Sequence, residues 1–306
     1  MVWPEAFDEE DYDLVATDEE ALGPGVRALL AELGADGSPQ RYPTGSLPVY
    51  AVGDLVLKLF PPVYAEELPV EAGVLAAVHG RLPIPTPRVH RTGEFEGWGY
   101  VLMDRLRGRP LTDAWDTLSD RDRIADQLGA TLAALHAVPP PPIPDWWPPD
   151  WDEFAADQRA ACAGRHRALG LPDALARQIP AFLDGADLGT DRPVLLHTEV
   201  MRAHLLVDDR GDLSGLLDFE PAMRGAAEYE FAAIGAFVSE GDARFLGRTL
   251  RAYGLPADRL DADLRRRMFG WLLLHYYSNL PAYLDRLPAP AEPTLESLAD
   301  TWFATL

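Results

Sequence analysis

Residues 195–220 constrain the fold of this 306-residue chain more than any other segment. An apolar run, VLL, leads into three polar residues that lie within eight positions: His197, Glu199 and His204. Two further apolar runs then flank residues 208–212, DDRGD, a turn-rich connector that predicts a tight β-hairpin. Asp218 stands where the second strand of this hairpin should end. The segment therefore predicts a polar loop and a hairpin with a carboxylate on either side, Glu199 and Asp218.

The chain contains a single lysine, Lys58, among its 27 basic residues. Exposed lysine and arginine often serve equally well, whereas a compact ammonium that must fit against oxygen atoms is not replaced by a planar guanidinium. Lys58 lies within DLVLKLF, residues 54–60, a predicted strand with apolar residues on both sides. Because lysine is seldom buried without a partner, we expect Lys58 to be required rather than an incidental surface residue.

The pattern along the chain predicts four regions, in the order residues 1–22, 23–103, 104–108 and 109–306. The first is acidic and weakly patterned, either a frayed tail or a short leading helix, and the second combines a small antiparallel sheet with a helix. The third is a polar candidate hinge, and the fourth is mainly helical around the loop 195–204 and the hairpin 204–220. Apolar spacing predicts helices near residues 26–33, 66–79 and 121–138. The predicted fold class is α+β, with a small sheet-rich lobe and a larger helical lobe.

The formal net charge of −22 argues against a nucleic-acid partner and against anionic membrane surfaces. It would attract a cationic small molecule, although an acidic surface that serves solubility alone explains the same charge. The sequence contains no run of eighteen apolar residues and no secretory signal pattern at its start. The single Cys162 has no partner for an internal disulfide, which predicts a cytoplasmic protein. The oligomeric state stays open.

Two groups of aromatic residues could border a substrate cleft. The first follows a proline-rich stretch and the second lies near position 275; together they comprise Trp146, Trp147, Trp151, Trp271, Tyr276 and Tyr277. Large aromatic side chains more often fix a loop to the core or pack within it than line a cleft. We therefore favour a packing role for both groups.

The motifs in this chain resemble those of the aminoglycoside phosphotransferase family, whose members are relatives of the protein kinases. The family's H-G-D-x-x-x-x-N loop is matched in spacing by HTEVMRAH, residues 197–204, and its D-F-G-like motif by DFE, residues 218–220. The resemblance extends to Lys58, which Glu71 follows thirteen residues later, and to GAAEYEFA, residues 225–232. The resemblance covers most of residues 40–235. Among the subfamilies, this chain is most similar to the hygromycin kinases. The resemblance implies a two-lobed, protein-kinase-like fold.

The resemblance also implies an ATP-dependent phosphotransferase, with GTP as the alternative nucleotide and Mg²⁺ or Mn²⁺ as the metal ion. Its acceptor would be a hydroxyl of a small, cationic molecule of the aminoglycoside or hygromycin type, and the enzyme would serve antibiotic resistance. The residues implied in nucleotide binding are Lys58, Glu71, Ser46 and Met103. The residues implied at the metal ion are Asp218 and His204.

Glu199 and His197 are the candidate catalytic residues of the loop. By resemblance, Glu199 would orient or deprotonate the acceptor hydroxyl, and His197 would brace the loop rather than carry a proton. A zinc-hydrolase reading of His197, Glu199 and His204 is disfavoured, because these histidines do not share the helix face of an H-E-x-x-H site.

Departures from the family pattern leave the activity open. Glu199 replaces an aspartate and reaches about 1.5 Å further, Thr198 replaces a glycine, and Ala226 stands where an aspartate is usual. His204 replaces an asparagine, and imidazole suits softer metal ions better than Mg²⁺. His204 would therefore contact phosphate, bind a metal ion such as Mn²⁺, or have no metal role. The alternatives are a catalytically impaired nucleotide- or ligand-binding protein and a kinase for a peptide or a biosynthetic intermediate.

Overall fold

A five-stranded antiparallel sheet organises the N-terminal lobe in the computed structural model, which describes residues 2–144, 146–189 and 192–306. Its strands are β1 (Gln40–Arg41), β2 (Val49–Val52), β3 (Leu55–Phe60), β4 (Val89–Phe95) and β5 (Trp98–Asp104). They lie in the order β1-β2-β3-β5-β4, so β3 is the central strand. Lys58 pairs with Val49 of β2 and with Val101 of β5, which fixes its position in the middle of the sheet.

Both faces of this sheet are covered, which explains why β3 is apolar on both sides of Lys58. Side chains alternate between the faces of a strand. Leu57 and Leu59 therefore point to one face, where they pack with Leu22 and Leu29 in a first core. Val56 and Phe60 share the other face with Lys58 and belong to a second, larger core.

Three helices accompany the sheet: α1 (Glu9–Val15), α2 (Glu19–Leu33) and α3 (Glu67–Val78). The side chains of Asp8 and Asp18 cap the N-termini of α1 and α2, and Gly34 ends α2 in the left-handed conformation with φ of 63°. The acidic N-terminal segment is thus a short leading helix and the first turn of α2, rather than a frayed tail. Its Trp3 is 5% exposed and stacks on Trp98 of the sheet.

The C-terminal lobe is mainly helical, as predicted. Its helices are α4 (Leu111–Ala114), α5 (Arg121–Ala137), α6 (Trp151–Ala168), α7 (Asp173–Ala176), α8 (Ile179–Asp184), α9 (Ala227–Ile234), α10 (Ala243–Tyr253), α11 (Ala262–Leu274), α12 (Leu280–Arg286) and α13 (Leu295–Trp302). Single 3₁₀ turns form at Pro62–Tyr64, Trp115–Thr117 and Ala257–Arg259, and one π-helical turn forms at Gly235–Ser239. The helices predicted near 66–79 and 121–138 are confirmed as α3 and α5. The one predicted near 26–33 is the second half of α2.

Five short strands position the polar segment in this lobe: β6 (Arg109–Pro110), β7 (Val194–Leu196), β8 (Leu205–Val207), β9 (Leu213–Leu216) and β10 (Met223–Gly225). Strands β8 and β9 form the predicted hairpin, and β7 pairs with β10. In the connecting turn, Asp208 Oδ1 accepts hydrogen bonds from the backbone N–H groups of Arg210 and Asp212. The side chain of Gln127 in α5 accepts a hydrogen bond from the backbone N–H of Leu213 at 2.9 Å and so fixes the hairpin to α5. The residues before β8 and after β9 are thereby held side by side.

The described part of the chain contains no helix that combines the length and the apolar character required to cross a bilayer.

Candidate active site

Lys58 is buried at the junction of the two lobes and contacts three carboxylates. Its side chain is 3% exposed. The ammonium Nζ lies 2.6 Å from Asp218 Oδ1, 2.5 Å from Glu220 Oε2 and 3.3 Å from Glu71 Oε2. Glu71 comes from α3, whereas Asp218 and Glu220 follow the hairpin of the other lobe. The single lysine therefore joins β3, α3 and the segment after β9.

The charges in this cluster do not balance, because one ammonium faces three carboxyl groups. Burial disfavours the ammonium, but Asp218, Glu220 and Glu71 together raise the pKa of Lys58 well above its usual value. Burial also opposes ionisation of Asp218, yet Lys58 and His204 lower the pKa of this carboxyl. Burial raises the pKa of Glu220. The charge of Lys58 opposes this rise, and the charge of Asp218 reinforces it. Asp218 is thus the ionised partner of Lys58, and Glu220 is the carboxyl that most readily takes up a proton.

Glu71 links the lysine to the backbone of the DFE motif. Its Oε2 accepts hydrogen bonds from Lys58 Nζ and from the backbone N–H of Phe219, the latter at 2.9 Å. Its second oxygen, Oε1, is buried and has no hydrogen-bond partner within the described residues. An unpaired buried carboxylate oxygen is costly in a folded protein.

Glu199, His204 and Asp218 form a second group, in which His204 contacts Asp218 Oδ2 while Lys58 contacts Asp218 Oδ1. Each of the three offers one atom that could coordinate a metal ion, and these three atoms lie within 4.8 Å of one another. His204 Nδ1 donates a hydrogen bond to the backbone carbonyl of Glu199 at 2.9 Å, and its Nε2 lies 3.1 Å from Asp218 Oδ2. A histidine that donates one ring N–H to a carbonyl presents the other nitrogen as a metal ligand.

This donor set fits a divalent cation. Two ligands that are adjacent in an octahedral site with bonds of about 2.1 Å lie about 3.0 Å apart, close to the separation of His204 Nε2 and Asp218 Oδ2. The two carboxylates suit both Mg²⁺ and Mn²⁺, and the imidazole favours Mn²⁺ and other first-row transition-metal ions over Mg²⁺. Burial raises the pKa of Glu199. The His204 ring opposes this rise, and Asp218 reinforces it.

His197 is a brace within the loop 195–204. Its Nε2 donates to the Leu217 carbonyl at 2.8 Å, and its Nδ1 accepts from the backbone N–H of Glu199 at 3.3 Å. Its own backbone N–H donates to Glu230 Oε2 of α9 at 2.6 Å. Burial lowers the pKa of the imidazole, which favours this neutral ring. His197 therefore fixes Glu199 against the end of the hairpin.

Two residues of this site adopt left-handed backbone conformations, which are uncommon for residues other than glycine. Thr198 has φ of 71° and Asp218 has φ of 77°. For β-branched Thr198 this conformation is a strained one. The Thr198 hydroxyl donates to the Pro221 carbonyl at 2.9 Å and holds the loop against the segment that follows Asp218. The turn at Asp218 allows Glu220 to reach back to Lys58.

Of the predicted site residues, the fold brings together Lys58, Glu71, Glu199, His204 and Asp218, with His197 directly behind them. Ser46 is exposed in the loop between β1 and β2, and its carbonyl accepts a hydrogen bond from the Tyr12 hydroxyl. Met103 is buried near the end of β5, opposite Val56. These two residues lie outside the ion-pair cluster.

Sequence reasoning missed three acidic residues at the site: Glu67, Glu220 and Glu230. Glu220 is two residues from Asp218, and its place within DFE was the available signal. Glu230 lies in the GAAEYEFA motif and is fully buried against the loop. Glu67, in the first turn of α3, carried no signal in the sequence, because only the fold brings that turn close to Lys58 and Asp218.

The aromatic residues divide between core and surface, so the packing role we favoured for both groups is only partly right. Trp151 and Trp271 are buried and 5.2 Å apart between ring centroids, as expected for core residues. Trp147, Tyr276 and Tyr277 are instead 45%, 44% and 60% exposed. These three exposed residues lie in the loop before α6 and in the turn after α11, whereas Trp151 and Trp271 lie within α6 and α11.

Comparison with known proteins agrees with this arrangement. The sequence profile of the phosphotransferase enzyme family, APH, matches residues 40–269, three quarters of the chain. No curated protein sequence matches significantly.

Solved structures with the same fold include APH(2″)-IIIa in complex with GDP and kanamycin, at a TM-score of 0.65 and 19% identity, covering 85% of this chain and 93% of that one. A thermostable mutant of aminoglycoside phosphotransferase APH(4)-Ia with ADP and hygromycin B gives a TM-score of 0.60 at 17% identity, with 90% and 95% covered. Macrolide 2′-phosphotransferase MphH from Brachybacterium faecium gives 0.58 at 21% identity, with 88% and 99% covered. The predicted two-lobed, kinase-like α+β fold is confirmed, and the chain belongs to the APH phosphotransferase enzyme family.

Proposed function

We propose that this chain is a nucleotide-dependent phosphotransferase that transfers the γ-phosphoryl group of ATP, or of GTP, to a hydroxyl of a small, cationic molecule. The observation that carries the proposal is the only lysine, buried against Glu71, Asp218 and Glu220 where the lobes meet. Such a lysine is suited to bind nucleotide phosphates, and the similar structures solved with GDP and with ADP support this use. We further expect a cytoplasmic enzyme.

In this proposal Lys58 binds the phosphates and Glu71 holds its ammonium in place. Asp218 and His204 hold a divalent cation, Mg²⁺ or Mn²⁺, which when bound neutralises charge on the phosphates. Ser46 and Met103 border the nucleotide. These residues position the phosphoryl donor, and positioning with charge neutralisation is the main demand of phosphoryl transfer.

Glu199 receives the acceptor hydroxyl, and His197 keeps Glu199 in place. The raised pKa of Glu199 brings this carboxyl closer to the pH at which a general base is most effective. An aminoglycoside or hygromycin-like antibiotic is the leading acceptor, because kanamycin and hygromycin B occupy similar structures and the net charge of −22 favours a cation. Antibiotic resistance would follow from phosphorylation of such an acceptor.

Calorimetric titration of ATP and of GTP, each with Mg²⁺ or Mn²⁺, tests the nucleotide site directly. We expect Lys58→Met to weaken nucleotide binding by about 100-fold, roughly 3 kcal/mol, because a charge-assisted contact to phosphate is lost. Arg81→Met, which removes an exposed cation beyond α3, is the matched control and should bind like the unaltered protein. Equal nucleotide affinity in both variants, each verified to be folded by its melting curve, would remove the basis of the proposal.

A catalytically impaired nucleotide- or ligand-binding protein is the second candidate, favoured by Glu199 and His204 in place of the family's usual residues. Phosphate transfer to kanamycin and hygromycin B should be measured in the unaltered protein and in the Glu199→Asp, His204→Asn double variant. Nucleotide binding without transfer, together with activity gained in the double variant, supports this second candidate. Transfer by the unaltered protein excludes it.

His204 also makes the metal site testable without an activity assay. We expect Mn²⁺ bound with a non-hydrolysable ATP analogue to show ¹⁴N modulation in electron spin-echo spectra, because an imidazole nitrogen is in its ligand shell. The signal should disappear in His204→Asn and persist in His90→Asn, the same change at an exposed histidine of β4. A signal that survives in His204→Asn would assign the metal ion to other ligands.

A further inference from the structure

Residues 2–16 pack on the face of the N-terminal sheet opposite to that of Lys58, and we define them as the N-terminal strap. The Trp3 ring stacks on Trp98 of β5 at 5.1 Å between centroids, and its indole N–H donates to the Phe95 carbonyl at 2.8 Å. The core on this face includes three residues of the strap: Trp3, Ala6 and Tyr12. The strap is therefore a packed part of the lobe.

Gly25 of α2 provides the space into which Trp3 packs. A Cβ added to Gly25 would overlap the Trp3 ring, so any larger residue at this position would displace the indole. Glycine is a poor helix former, yet here its missing side chain is what allows the ring to approach the helix backbone. The fold thus gives the start of the strap one specific place.

Tyr12, near the end of the strap, holds the loop 43–47 between β1 and β2. Its hydroxyl donates a hydrogen bond to the Ser46 carbonyl. Within the described part of the chain, this is the only hydrogen bond that residues 43–47 form. Burial raises the pKa of Tyr12 to about 12, so the phenol keeps the proton that it donates. A loop whose residues 43–46 are exposed therefore depends on one buried side chain for its position.

The same loop leads directly to Lys58. Ser46 is followed by Leu47, whose side chain is buried with Val56 in the core on the Lys58 side of the sheet. Two residues later, Val49 of β2 pairs with Lys58 of β3. The loop therefore passes from the strap on one face of the sheet to the candidate active site on the other.

Tyr12 also contacts the segment that leads to Glu71. Its ring packs edge-to-face against Tyr64, at 5.4 Å between centroids with an interplanar angle of 85°. Tyr64 ends the 3₁₀ turn before α3, and the neighbouring Val63 donates its backbone N–H to the Ala6 carbonyl of the strap at 3.2 Å. The strap therefore contacts two segments that lead into the Lys58 site, the loop 43–47 and the turn before α3.

We propose that Tyr12 is a positioning residue for the nucleotide: through Ser46 it holds the loop 43–47 in place for contact with the phosphates, and the docked strap thereby sets the nucleotide affinity. The inference rests on the proposed phosphotransferase function and adds a segment outside the site that controls it. Ordering a flexible loop costs conformational entropy, which lowers the affinity when the ordering accompanies binding. A loop that Tyr12 already holds meets this cost during folding instead.

Calorimetric titration of the full chain with a non-hydrolysable ATP analogue and Mg²⁺, and separately with adenosine, tests this role; the GTP analogue and guanosine are used if GTP binds more tightly. Tyr12→Phe keeps the ring on Tyr64 and removes only the hydroxyl, so it should weaken the ATP analogue about fivefold, the effect of one hydrogen bond. Adenosine has no phosphates, so its affinity should stay within about twofold of that in the unaltered protein. Tyr42→Phe is the matched control, because Tyr42 adjoins the same loop and is 37% exposed.

Gly25→Ala tests the strap as a whole. The added methyl group displaces Trp3 while alanine keeps α2 helical, so the affinity for the ATP analogue should fall by about fivefold or more, again with adenosine unchanged. Gly23→Ala is the matched control in the same helix, because its added Cβ meets the flexible end of the Arg27 side chain. Melting curves verify that each variant is folded, and Tyr12→Phe decides by itself if Gly25→Ala does not fold.

Weaker binding of the ATP analogue by Tyr12→Phe, with adenosine affinity kept, supports the inference. Unchanged affinity for the ATP analogue in Tyr12→Phe overturns it, and so does an equal loss for adenosine, which would show a general effect on the lobe. Either result leaves the phosphotransferase proposal standing. An unaltered protein that binds neither ATP nor GTP contradicts the proposed function itself, and this inference with it.

Discussion

At the scale of single residues, the unbalanced charge around Lys58 is the property most open to measurement. Lysine, rather than arginine, is present because a compact ammonium contacts Glu71, Asp218 and Glu220 at once. A buried charge that loses its partner is strongly destabilising, so these four side chains depend on one another. Burial raises the pKa values of the nearby Glu67, Glu199 and Glu220, and the surplus of carboxyl groups reinforces this rise.

Glu67, in the first turn of α3, should make stability depend on pH. Burial raises its pKa to about 7, with Lys58 opposing and Asp218 reinforcing the rise. An unfolded glutamate ionises near pH 4.3, so the folded state binds the extra proton between that pH and about 7. The contribution of Glu67 to the free energy of unfolding is therefore most favourable at low pH, and it decreases as the pH rises from about 4.3 to about 7.

Glu67→Gln removes this dependence. We expect the variant to gain stability relative to the unaltered protein as the pH rises from 5 to 8, measured by urea unfolding without divalent cations. Glu66→Gln, at an exposed neighbouring position, is the matched control and should show no such trend. A difference between Glu67→Gln and the unaltered protein that is constant with pH would contradict the raised pKa.

At the scale of elements, helices α5 and α10 of the C-terminal lobe pack directly against each other. Gly129 makes this possible, since a Cβ added there would overlap the Thr249 carbonyl oxygen and lie 2.7 Å from the Ala252 Cβ. The backbone of α10 cannot move aside as a flexible side chain could. The same helix α5 anchors the β8–β9 hairpin through Gln127, so this packing also supports the segment that ends at Asp218.

Gly129→Ala should therefore destabilise the protein by about 1–3 kcal/mol, the usual cost of overpacking. Gly164→Ala is the control, because Gly164 lies within α6, and within the described residues the added Cβ would meet no atom within 4 Å apart from its own helix backbone. That change should stabilise the protein by about 0.5–1 kcal/mol, since alanine is the better helix former. Thermal and urea unfolding measure both, and equal effects of the two substitutions would show that α10 yields to the added methyl group.

At the scale of the whole molecule, the net charge of −22 sets a self-repulsion that no single contact removes. The ion pairs on the surface, such as Arg248 with Asp126, contribute little each, because solvent screens exposed pairs. Salt weakens both effects, and with so large an excess of negative charge the repulsion should dominate.

We therefore expect the melting temperature to rise by a few degrees as NaCl increases from about 0.05 M to 0.5 M, where the screening length falls below about 10 Å. Calorimetry at pH 8 measures this. Potassium chloride in place of sodium chloride serves as the control for a specific ion, because screening depends on ionic strength alone. A melting temperature that falls with added salt would mean that favourable ion pairs outweigh the net repulsion.

The sequence by itself determined the α+β fold class and the hairpin, which follow from apolar periodicity and a turn-forming pentapeptide. Its resemblance to the phosphotransferase family implied the pairing of Lys58 with Glu71 and placed Asp218 at the same site. Such signals can be recognised without the fold, because each depends on neighbours within a few positions or on a fixed separation in sequence.

Only the tertiary structure decided the rest. Glu220 reaches Lys58 because the backbone turns at Asp218 with φ of 77°, and Glu67 approaches the site because α3 packs across the sheet. Trp147 and Tyr276 meet in one exposed patch although 129 positions separate them. Contacts of this kind arise from how elements pack, and packing depends on the whole chain at once rather than on any pattern that a segment carries.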